Sequence, residues 1–363
     1  MNFDFSEDQR RLQEEVRRML SDYSTSSAVR RVLEGESLYC ADTWTQLAGL
    51  GALGLALPEA HGGAGMGLLE LCLVAEEAGR ALAAVPLVSS IYMAAEVIRR
   101  AGSEAQQAEW LPRLASGEAI ATAMIAAHGQ HALVVEPSRI ENGRLFATLN
   151  AVPDGMAAQL CVVLVDDALV LVGLDGAGVR RTAQASLDPT RPLAQIVCDG
   201  ATVELLAAHG GQQIAATVTD GAAVLMAFEQ VGGAERALYA ARDYALERRA
   251  FGRVIGSFQA VKHKLADIFA SIELARAHAY YGAWALATGA DELTRAAAAA
   301  RVAATAAYTL AAEESLHLHG GIGFTWEMDC HLHLRRARWL GQIIGNEHYW
   351  RERLATTLIE KAA

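Results

Sequence analysis

The chain has 363 residues, 52% of them hydrophobic and 20% charged, with a formal net charge of -11. That length exceeds one ordinary core and predicts two or three packed units, and the composition excludes a largely disordered protein. The negative balance argues against a nucleic-acid partner, which asks for a basic stripe, yet leaves room for an anionic small ligand in a local pocket.

The opening residues, MNFDFSEDQRRLQEE, are acidic and polar where a signal peptide needs a basic start and an apolar run, so a cytoplasmic protein is expected. Ser6 followed by Gln9 predicts a capping box ahead of a charged amphipathic helix. Residues 1–118 read as helices, with Pro58 and the glycines of PEAHGGAGMG marking a loop before a helix from about Leu68. Between 119 and 208 the apolar period changes. Asn142-Gly143 is a hairpin signal, LCVVLVDDALVLVGL holds two apolar runs about Asp166-Asp167, and LAQIVCDGATV reads as another strand, so a small antiparallel β unit is expected.

From 209 to 363 the helical period returns. Phe251, Val254, Ile255, Phe258, Val261, Leu265, Ile268, Phe269 and Ile272 recur at three and four residues and predict one continuous buried face. The most apolar segment, residues 296–312, carries Arg301, which marks it as a close-packed helix of a soluble protein and not a membrane span. The five cysteines, Cys40, Cys72, Cys161, Cys198 and Cys330, show no ligand spacing and predict buried thiols without a metal site. The fold class is therefore mainly α with an inserted β domain.

Two stretches carry chemistry. HLHGGIGFTWEMD, residues 317 to 329, interrupts a helical run with Gly320 and Gly321. Such a pair serves either as a helix cap and turn, or as a place where backbone N–H groups approach a phosphate or a flat ring. ALERRAFGRVIGSFQAVKHKLAD, residues 245 to 267, places Arg248 and Arg249 at a helix end. There they either complement the helix dipole or form an anion site, because a guanidinium fork fits a pyrophosphate.

The run Arg-x-x-Phe-Gly-x-x-Ile-x-x-Phe-Gln, closing on Leu-Ala-Asp and followed later by His-Gly-Gly-x-Gly-Phe, resembles the acyl-CoA dehydrogenase family over essentially the whole chain. The resemblance implies that family's fold: an N-terminal helical domain (1–118), a middle β domain (119–208) and a C-terminal four-helix bundle (209–363). It further implies FAD, a dimer of dimers, and oxidation of acyl-CoA thioesters to trans-2-enoyl-CoA with electron-transfer flavoprotein as acceptor. By position it assigns Arg248, Phe251 and Gln259 to the adenosine-diphosphate portion of FAD, and Gly320 and Gly321 to close approach by the pyrophosphate or adenine. His317 stands where the family often has glutamine.

The sequence departs from the family where the catalytic base belongs. Gly345 matches the glycine of the family's Glu-Gly-Thr, so Ile344 occupies the base position and Asn346 the threonine. The alternative Glu-Arg position falls on Ala222 and Ala223, and none of these side chains accepts a proton. Glu229 and Glu347 are the nearby acids that could substitute. The β-domain motifs that hold flavin and thioester are replaced by AMIAAHGQHALVVE and LFATLNAVPDGMAAQ.

What remains would serve FAD in a neighbouring subunit, and what is missing would serve the chain's own site. The sequence is thus similar to the non-catalytic subunits of heteromeric dehydrogenases in bacterial sterol and bile-acid side-chain degradation. The expected partner is a second acyl-CoA dehydrogenase subunit in a heterotetramer, or copies of the same chain. Two other readings stay open, a self-sufficient dehydrogenase with a relocated base and a flavin-free scaffold of the same fold.

Overall fold

The computed structural model describes residues 5–125 and 138–362. The chain packs as two compact units, each assembled from separated stretches: Met1–Ser26, Cys72–Ala83 and Ala223–Ala363 in one, Ser27–Leu71 and Ala84–Ala222 in the other.

Helix α1 (Glu7–Tyr23) begins with the expected capping box: the Gln9 N–H donates to Ser6 Oγ at 3.2 Å and the Ser6 N–H donates to Gln9 Oε1 at 2.9 Å. Helices α2 (Ser26–Leu33) and α3 (Ala41–Gly49) follow, then α4 (Leu68–Arg80), which starts where the Pro58 loop predicts. A fully buried π-helical stretch, Leu87–Ala95, leads into α5 (Glu96–Ala101) and α6 (Glu104–Ala115).

The β region contains β1 (Ala121–Met124), β2 (Arg139–Glu141), β3 (Arg144–Pro153), β4 (Leu160–Val165), β5 (Ala168–Gly173), β6 (Val179–Gln184) and β7 (Leu193–Ala207). Asn142 and Gly143 both take left-handed φ, 52° and 73°, and join β2 to β3 as the hairpin that the dipeptide predicts. The sheet runs β1-β4-β5-β7-β3-β2, with β6 also on β7. It corrects the expectation of a purely antiparallel unit, because β1 pairs with β4 in parallel. Only strands joined by tight turns are obliged to be antiparallel; β1 and β4 are separated by two intervening strands. Most of AMIAAHGQHALVVE lies outside the described residues.

The helical unit is built on α7 (Gly211–Glu247), which ends within it, α8 (Gln259–Thr288), α9 (Leu293–His319), α10 (Cys330–Leu340) and α11 (Glu347–Ala362), with the short strands β8 (Arg249–Ala250) and β9 (Arg253–Val254) between α7 and α8. Glycines let α4 and α7 touch backbone to backbone: a Cβ on Gly79 would stand 1.8 Å from the Glu229 carbonyl oxygen, and one on Gly232 would stand 1.9 Å from that of Glu76. Helix α7 is long and apolar enough to cross a bilayer by composition, but most of that stretch is buried inside the protein. Helix α9 carries Arg301 in its alanine-rich run, fully buried, donating to Gln230 Oε1 at 2.5 Å and to the Leu340 carbonyl. All five cysteines are buried and none is in a disulfide.

The continuous buried face predicted from Phe251 to Ile272 is not formed. Ile268 and Ile272 are buried, but Phe251 is 95% exposed and Phe269 51% exposed. Residues 251–258 form a hairpin and a short 3₁₀ turn, so the three-and-four spacing there never lies on one helix. The first half of α8 keeps most of its surface in solvent.

Candidate functional site

The two motif stretches meet the surface of the helical unit at the end of α7 and the end of α9. Helix α7 stops at Glu247; the Arg248 N–H still donates to the Tyr244 carbonyl at 2.8 Å, while the Arg248 carbonyl accepts from Ile255 N–H at 2.8 Å. The chain then turns back on itself with Arg249 opposite Val254 and Ala250 opposite Arg253. Phe251 and Gly252 form the two-residue turn, with φ of 50° and 81°. Glycine takes that region freely, whereas a bulky side chain there is strained and calls for a reason.

No internal packing supplies the reason. The Phe251 ring is almost wholly exposed and makes an edge contact with Phe258 at 6.3 Å between centroids. Arg253 lies over Phe258 at 4.0 Å from its centroid. Arg248 and Gln259 are exposed, and among the described residues neither side chain is engaged by another.

The glycines that close α9 differ in what holds them. Gly320 has φ 65° and ψ -145°, a conformation essentially reserved for glycine. Gly323 is kept small by packing, since a Cβ would stand 2.5 Å from the Leu316 carbonyl oxygen. Gly321 has neither constraint: its φ is not positive and a Cβ there would meet nothing within 4 Å. Gly320 and Gly321 both border open space. His317 is exposed next to them, with its ring 6.5 Å from that of Phe324. A guanidinium and a carboxamide can donate to a dinucleotide's phosphates, and an exposed aromatic ring can stack on its flat base. The residues present therefore fit FAD.

The positions that the resemblance assigns to a base carry isoleucine and alanine. Ile344 is half-buried in the segment between α10 and α11. Asn346 caps α11, its Oδ1 accepting the Tyr349 N–H at 3.0 Å and its carbonyl the Trp350 N–H at 3.2 Å. Glu347 is exposed and ion-paired with Arg351 at 2.5 Å. On α7, Ala222 and Ala223 are both fully buried. Glu229 is 0% exposed and stands 3.4 Å from Arg336, whose guanidinium also donates to the Leu82 and Ala83 carbonyls that follow α4.

Two residues escape a reading of motifs alone. Tyr244 and His319 stack with centroids 4.4 Å apart and planes 26° from parallel. Each sits beside a motif, four residues before Arg248 and immediately before Gly320, and that adjacency is the signal by which they could have been noticed.

Helices before and after an inserted seven-stranded sheet define the class as a mainly α fold with an inserted β domain. The chain belongs to the acyl-CoA dehydrogenase family: residues 6–118 match "Acyl-CoA dehydrogenase, N-terminal domain" and residues 209–359 match "Acyl-CoA dehydrogenase, C-terminal domain". It is 35% identical to acyl-CoA dehydrogenase IpdE2 of Mycobacterium tuberculosis, over 93% of each chain. Among solved structures it resembles the Tcur3481-Tcur3483 steroid ACAD at 30% identity and a TM-score of 0.89, covering 98% of this chain and 99% of that one. It also resembles the ChsE4-ChsE5 complex of Mycobacterium tuberculosis at 28% identity and a TM-score of 0.90, covering 99% of both.

Proposed function

We propose that this chain is one subunit of a heteromeric acyl-CoA dehydrogenase, contributing contacts to FAD that is held with a catalytic partner subunit. The observation that carries the reading is the pairing of an open dinucleotide-type surface with aliphatic side chains at both base positions. Arg248 and Gln259 are exposed without a side-chain partner among the described residues, Phe251 is almost wholly exposed and Gly320 and Gly321 border open space, while Ile344, Ala222 and Ala223 offer no proton acceptor.

When bound, FAD supplies the hydride acceptor for the β-carbon of the thioester. The residues of this chain do other work. Arg248 offers a two-pronged cation to a pyrophosphate, Gln259 an amide hydrogen bond, and Phe251 a ring face for stacking. His317 and Asn346 complete the proposed contact set, Asn346 while capping its own helix. Removal of the α-proton falls to a carboxylate of the partner.

The resemblance to structures that pair two different dehydrogenase chains supports a heterotetramer. The similarity to a steroid ACAD supports a steroid or lipid side-chain CoA ester as substrate. Electron-transfer flavoprotein as acceptor, a cytoplasmic location and domain limits at 118/119 and 208/209 belong to the same proposal. A self-sufficient enzyme would need Glu229 or Glu347 as base, and the burial of Glu229 against Arg336 and the pairing of Glu347 with Arg351 weigh against both.

The test is to purify the chain with its co-expressed neighbouring dehydrogenase and measure flavin per subunit and dye reduction by an acyl-CoA panel. Activity and FAD confined to the heteromer are expected. One FAD per chain in an active homomer sinks the proposal.

A further inference from the structure

The candidate surface is split between two helix ends, and the Tyr244–His319 stack joins them. Tyr244 lies in the last turn of α7, and its carbonyl holds the Arg248 N–H at 2.8 Å. His319 is the final residue of α9 and is buried. His319 Nδ1 lies 2.7 Å from the Ser315 carbonyl oxygen. A carbonyl only accepts, so Nδ1 carries a proton and donates it, which fixes the imidazole plane against its own helix. Tyr244 then lies on that fixed plane in a stacked geometry.

The surface around this contact faces solvent. Gly320 and Gly321 border open space, the Phe251 turn projects into solvent, and Arg248 has no side-chain partner among the described residues. A residue that slides, such as an aliphatic one, would leave the end of α7 free to drift relative to the end of α9. A ligand bridging the two would then have to restore the spacing at the expense of its own affinity.

We infer that Tyr244 and His319 are positioning residues, holding Arg248 at a set distance from the Gly320-Gly321 backbone so that the adenosine-diphosphate portion of a dinucleotide bridges both. The inference rests on the FAD-contact reading above. Neither ring touches the ligand; they act through the helix ends that they lock.

The experiment titrates ADP by calorimetry into the flavin-stripped heteromer assembled with each variant of this chain, at a temperature where far-UV circular dichroism shows it folded. Tyr244→Phe keeps the ring and should bind ADP within about two-fold of wild type, whereas Tyr244→Leu and His319→Gln should each weaken binding by about ten-fold. If Tyr244→Leu does not fold, Tyr244→Phe against His319→Gln makes the same comparison. A stack that only stabilises the fold would lower the melting temperature of the disrupted variants while leaving their ADP affinity at the wild-type value, and that outcome overturns the inference. A wild-type heteromer that takes up no ADP overturns the underlying reading instead.

Discussion

Arg336 and Glu229 meet at 3.4 Å with both side chains wholly out of solvent, tying α10 to α7 while the same guanidinium holds two carbonyls beyond the end of α4. The pair explains an acidic residue in the apolar middle of α7. Glu229 also lies close enough to Arg301 for its charge to oppose the effect of burial, which pushes that guanidinium down to about 9. Its position is that of a structural counter-ion to two interior arginines.

Glu229→Gln should therefore destabilise the protein by about 3–5 kcal/mol, because it leaves buried guanidinium charge without its carboxylate. Urea denaturation of the purified variant measures this. A variant that keeps wild-type stability but loses dehydrogenation in the heteromer would instead identify Glu229 as the base.

A second expectation concerns acid. His333 is buried with its Nδ1 3.0 Å from the Tyr308 hydroxyl; burial first, and then the charge of Arg236, push the imidazole down to about 3, with Arg336 adding to the effect and Asp329 opposing it. The folded state thus resists a proton that the unfolded chain takes up near the ordinary histidine value. This contribution is fully present above that value and is lost as pH falls toward the folded pKa. It should cost about 2 kcal/mol between pH 7 and pH 5. The slope of unfolding free energy over that window should flatten in His333→Gln.

The glycines of the α9 terminus should separate stability from binding. Gly321→Ala should change stability by no more than about 0.5 kcal/mol, since the added methyl meets open space. It should nonetheless weaken ADP or FAD binding. Gly323→Ala should lose about 1–3 kcal/mol, because its methyl is driven into the Leu316 carbonyl. Thermal melts paired with ADP titration distinguish the two.

Phe251 should show the opposite trade. Asparagine tolerates left-handed φ better than phenylalanine, so Phe251→Asn should gain about 1 kcal/mol of stability. Loss of the exposed ring should weaken dinucleotide binding at the same time. Unchanged affinity in the more stable variant would remove Phe251 from the contact set.

Much of this molecule is legible from residue order. The Ser6-Gln9 box, the Asn142-Gly143 turn, the start of α4 and the burial of the cysteines each depend on neighbours a few positions away or on side-chain type. The family motifs are legible for the same reason, as spacing along one backbone. The reading failed where periodicity was extended across a break: the Phe251–Ile272 series spans a hairpin, and alternation of apolar residues carries no record of where a helix begins. It also could not foresee that β1 would pair in parallel, because strand partners are chosen by the whole sheet.

Residue order alone thus carries the capping box, the hairpin turn and the motif spacings from which the dinucleotide contacts and the aliphatic base positions are proposed, since these are properties of short segments and of chemical identity. Tertiary structure decides that Glu229 is locked to Arg336, that Gly321 borders empty space where Gly323 does not, and that Tyr244 lies on His319. Those outcomes turn on distances between residues remote in sequence, which only the packing of one helix against another sets.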